Sequence, residues 1–153
     1  MNTTRLAAIF GLTLATIASF STRYPAYAVD NMETPGMVDL TSVREKISVK
    51  DYASALVELR GLAEDNQQPD VYNLLGFTLR KTGDFDTSLT YYEKALDLQP
   101  DYKAAREYLG ELYVDTGKMD KAQEQLASLT QLCPGGCEEL DDLQQYITSK
   151  GSN

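Results

Sequence analysis

Histidine is absent from the 153-residue chain. That removes Ser-His-Asp and Cys-His activation of a nucleophile, and every zinc site built on imidazole. Cysteine is scarce, with two residues in all. No glycine-rich loop stands between a strand and a helix to cradle phosphate, so an ATP-driven role has no support. Glu107 and Glu111 lie four apart on one helix face, but acid-base chemistry by paired carboxylates also needs an enclosed site. These absences predict a protein that is not an enzyme and carries no cofactor or metal. Basic residues are few as well: 14 Lys and Arg face 23 Asp and Glu, a formal charge of −9. Such a chain repels phosphate backbones and anionic lipid, which argues against nucleic acid and peripheral membrane binding.

Long apolar runs are also missing. The longest runs from Leu6 to Phe20. As a helix it would rise only about 22 Å, short of the hydrocarbon core, so stable membrane insertion is not expected. It has the layout of a secretory signal: Arg5 before it, no acidic residue among the first 28, and Ala26-Tyr27-Ala28 after it. Cleavage after Ala28 would export the protein to the periplasm or beyond. Loss of Arg5 and Arg23 with that leader takes the formal charge from −9 to −11, or 12 minus 23. Residues 29–38 hold Pro35-Gly36 and no sustained apolar period, and read as a flexible lead-in.

Beyond residue 38 the apolar residues keep a helical period, without the alternation of a strand. The chain also superposes on itself at one constant offset. Leu75-Gly76 falls on Leu109-Gly110, Thr82-Gly83 on Thr116-Gly117, and Pro100 on Pro134; Ser88 falls on Ala122 and Phe85 on Met119. In a helix-turn-helix unit each landmark has a physical task. Gly76 and Gly110 let a second helix cross closely, Gly83 and Gly117 permit the turn, and the prolines end the second helix. With that period and those landmarks the chain resembles the tetratricopeptide repeat family, whose fold is an all-α solenoid.

The resemblance is fullest over residues 69–102 and 103–136. A degenerate first repeat is expected over 39–68, where Leu40, Val43 and Ile47 form an apolar stripe and Asp51 to Leu62 look like a second helix. A capping helix is expected over 137–153, with Leu140, Leu143 and Ile147 on one face and Tyr146 beside them. Seven helices follow from this reading.

In this family function lies on the face lined by the first helix of each repeat. The resemblance places Arg44, Asn73, Phe77, Arg80, Lys81, Glu107 and Glu111 there, with Val114. Phe77 beside two cations has the character of a peptide anchor, and Arg80 and Lys81 could meet a carboxylate. The family's Lys/Asn clamp around a terminal carboxylate does not carry over, because Phe77, Ala104 and Tyr108 occupy positions where polar residues would be needed. The two cysteines, Cys133 and Cys137, enclose Pro-Gly-Gly. In an exported protein such a pair suits a disulfide. Disulfide exchange, or soft-metal handling aided by Met119, stays open as an alternative. The reading as a whole is an exported, non-enzymatic bacterial adaptor that binds a peptide segment of an envelope or secreted protein. Self-association is a further possibility.

Overall fold

A computed structural model of the protein describes residues 36–151. The expected leader, its cleavage site and most of the lead-in lie outside the described residues. Seven helices and no strand occur among the described residues: α1 (Thr41–Ser48), α2 (Tyr52–Asp65), α3 (Pro69–Thr82), α4 (Phe85–Leu98), α5 (Lys103–Asp115), α6 (Met119–Leu132) and α7 (Glu138–Gly151). Each helix packs on the next in sequence, and α5 also packs on α3 and α7. The odd-numbered helices α3, α5 and α7 therefore share one face. The all-α repeat fold expected from the sequence period is what the chain forms.

Local chemistry explains the boundaries. Asp51 and Asp84 cap α2 and α4. Their carboxylates accept the N–H of Ser54 at 3.2 Å and of Thr87 at 3.3 Å, respectively. Pro69 opens α3 at a position where its missing N–H costs nothing. Gly83 and Gly117 end α3 and α5 with φ of 87° and 71°. Glycine adopts that conformation without steric strain. The first repeat has no glycine at its corresponding turn. There Lys50 takes the left-handed conformation instead, at φ 61°.

The α3–α4 crossing depends on Gly76. Ser88 Oγ donates to the Gly76 carbonyl oxygen at 2.7 Å, and the fully buried Tyr92 ring lies over the glycine. Gly110 differs from the expectation of a crossing by α6, because the side chain nearest the space above it is Leu143 of α7. The capping helix thus packs directly on α5, more extensively than α5 packs on α3. Two apolar clusters fill the stack, one around Val43, Leu59, Val71 and Leu75, the other around Tyr92, Leu112, Leu129 and Leu143. Of the lead-in, residues 36–38 are described, and Gln68 holds them: its Oε1 accepts Val38 N–H and its Nε2 donates to Gly36 O, both at 3.3 Å.

Cys133 closes α6 and Cys137 precedes α7, with their sulfurs at bonding distance, 2.19 Å. Gly136, at φ 88°, donates its N–H to Cys133 O at 2.9 Å and completes the turn.

Candidate peptide-binding face

The inner face is built from α1, α3, α5 and α7, and it falls into two parts. Toward α1 it holds a pocket of about 200 Å³ lined by Arg44, Ile47, Ser48, Leu74, Phe77 and Tyr108. Phe77 and Tyr108 are half-buried and pack on each other with ring centroids 5.1 Å apart, so they form a preformed aromatic wall. Lys81 Nζ stands 5.1 Å from the centre of the Phe77 ring, and Arg44 is exposed at the rim. Helical spacing puts Phe77 and Lys81 one above the other on α3.

Toward α7 a polar network underlies the face. Arg80, whose side chain is 1% exposed, pairs with Glu111 and, at 2.9 Å, with Asp115. Tyr146 of α7 donates its hydroxyl to Asp115 at 2.6 Å, and its ring lies 5.7 Å from the Arg80 guanidinium carbon. Burial works against the charge on Arg80, but Glu111 and Asp115 outweigh it and hold the group protonated. This network differs from the expectation that Arg80 meets a ligand's carboxylate: its charge is already neutralised within the chain.

Two other expected groove residues are also inside. Asn73 is 3% exposed, and its Oδ1 has no hydrogen-bond partner among the described residues. Glu107 is 7% exposed. Burial pushes its carboxyl up to about 8, and Glu111 on the same helix with Asp142 and Glu139 on α7 add to the rise, against Arg80 on α3. Below that value Glu107 is protonated and adds no charge to the face. Of the seven residues expected in the groove, the structure brings Arg44, Phe77 and Lys81 together around the pocket. It places Asn73, Arg80 and Glu107 beneath the surface, with Glu111 bound to Arg80. Sequence reasoning missed Ser48 and Asp142, and it assigned Ile47 and Tyr108 other roles.

The raised Glu107 value gives a stability prediction. The folded value lies above that of an unfolded glutamate, so the native chain binds more protons between about pH 4.5 and 8. Its contribution is complete below that window and is lost as pH rises through 8. Glu107→Gln should flatten the fall in unfolding free energy over this range and stabilise the protein near about pH 8.5 by about 1–2 kcal/mol. Urea titrations of both proteins at several pH values measure this; parallel pH profiles would contradict it.

The tetratricopeptide repeat family profile matches residues 79–145, from the middle of α3 into α7. Over those residues the chain carries tetratricopeptide repeats. Its similarity to the uncharacterized protein ycf37 of Guillardia theta is 31% identity over 84 residues, covering 51% of this chain and 47% of that protein. The chain thus spans about half the length of this curated relative. The crystal structure of MamA is similar in fold, with a TM-score of 0.61 at 20% identity, over 73% of this chain and 66% of that one. A tetratricopeptide repeat stack is a protein–protein interaction scaffold, and the pocket lies on first helices α3 and α5, where such stacks present their groove.

Proposed function

We propose that this tetratricopeptide repeat protein is a non-enzymatic adaptor of a bacterial cell envelope, which holds a peptide segment of a partner in the pocket between α1, α3 and α5. The observation that carries this reading is the half-buried Phe77–Tyr108 pair, open to solvent beside Ile47 and Leu74. Such a preformed aromatic wall can bury an apolar side chain with little ordering cost. Export rests on the signal-like layout of residues 1–28. In this reading the Cys133–Cys137 pair is a staple that fixes the α6–α7 turn and takes no part in partner chemistry.

Capture of envelope proteins on the immobilised full chain tests it. Phe77→Ala should weaken capture of the partner at least about 30-fold, the loss typical of a hot-spot aromatic, with the helical melt preserved. Cys133→Ser with Cys137→Ser should retain capture. A cysteine variant that stays folded but no longer captures the partner would sink the adaptor reading in favour of thiol chemistry.

A further inference from the structure

The inner face carries opposite charge at its two ends. At the α1 end Arg44 is exposed at the pocket rim and makes no ion pair among the described residues, while Lys81, next to the pocket, rests on the Phe77 ring and feels Glu111 and Asp115 without ion-pair contact to either. At the α7 end a second pocket, of about 300 Å³, is lined by Glu111, Asp142, Gln145, Tyr146 and Ser149. Asp142 is exposed there and has no cation within ion-pair reach among the described residues, and Glu139 stands one helical turn before it on α7. Arg80 lies between the two ends, but Glu111 and Asp115 occupy its two terminal nitrogens, which leaves neither of them for a ligand's acid. The chain as a whole is strongly acidic at −9, which makes the Arg44–Lys81 end a local exception.

We propose that the inner face selects a charge-polar segment, with an apolar anchor seated against Phe77 and Tyr108, acidic side chains on its α1 side and basic side chains on its α7 side. This rests on the peptide-binding reading above and adds the chemistry of the partner to it. The anchor supplies affinity by burial, whereas the flanking charges set the direction in which the segment lies and exclude uniformly charged competitors. A wholly acidic segment would meet Asp142 and Glu139, and a wholly basic one would meet Arg44 and Lys81.

The test uses fluorescence anisotropy with the full chain at low ionic strength. The probes are short synthetic peptides that share one central phenylalanine. Their flanks are aspartate on one side and lysine on the other, in both chain orders, or all aspartate, all lysine, or all serine. One bipolar peptide should bind about tenfold tighter than either uniformly charged peptide and tighter than the serine one, an advantage that added salt erases. Arg44→Glu with Lys81→Glu should transfer the preference to the all-lysine peptide. If the all-lysine or the serine peptide equals or beats both bipolar ones on the unaltered protein, and Phe77→Ala still abolishes binding, the polarity is wrong and the pocket stands. If no peptide shows binding that depends on Phe77, the peptide-binding reading itself falls.

Discussion

Gly76→Ala is expected to destabilise the protein by about 1–3 kcal/mol, although alanine is the better helix former by up to about 1 kcal/mol. A Cβ on residue 76 would stand 2.7 Å from both Cδ1 and Cε1 of Tyr92. That ring is fully buried and rigid, so it cannot turn aside without separating α3 from α4. Gly110→Ala makes an informative contrast. There the new atom would meet the terminal methyl carbons of Leu143 at 2.5 and 2.7 Å. Leu143 is fully buried as well, but it is a branched chain rather than a flat ring and stands on the last helix of the stack, which can shift without parting two inner helices. Its cost should be the smaller of the two, about 1 kcal/mol or less. Chemical denaturation of both variants measures the difference. An equal or reversed order would show that the α3–α4 crossing is not the tight point of the fold.

Arg80→Ala should cost about 2–4 kcal/mol, because it strands Glu111 and Asp115 in a poorly hydrated site without their shared cation. The lower end of the range reflects water that still reaches Asp115, whose side chain is 22% exposed. The loss belongs to the unpaired acids more than to the pair itself. Arg80→Met combined with Glu111→Gln should therefore recover a large part of the stability, with an interaction energy above about 1 kcal/mol in a double-mutant cycle. A cost under about 1 kcal/mol for Arg80→Ala would mean that the network is solvated rather than interior. The same reasoning makes Arg80 unsuitable for probing ligand contact: a variant there would lose binding through lost structure, so Phe77, Arg44 and Lys81 are the informative positions.

The fold was legible because its signals are local and repeated. Leu-Gly, Thr-Gly and proline recur at one fixed period, and each is demanded by a short-range feature: a close crossing, a left-handed turn or a helix stop. The first repeat was harder to read because Lys50 makes its turn without glycine. The groove was legible as a set of positions on first helices, not as a surface. Helical spacing places Arg80 and Glu107 on the same face as Phe77 and Glu111, but it says nothing of how close α7 comes to α5. That approach turns Arg80 and Glu107 from groove residues into interior ones. Tyr108 shows the opposite failure. It reads as a departure from a polar clamp, yet the packing of α5 on α3 makes it the second wall of the aromatic pocket.

In the proposed function a partner segment lies in the pocket between α1, α3 and α5. Site-specific photocrosslinking in the source cell, with the photoreactive residue at Ser48 on the pocket rim or at Glu124 on α6, tests it most directly. A discrete crosslinked partner is expected from position 48 that disappears in the Phe77→Ala background, with none from position 124. The same partner crosslinking from position 124, or from position 48 regardless of Phe77, would contradict it.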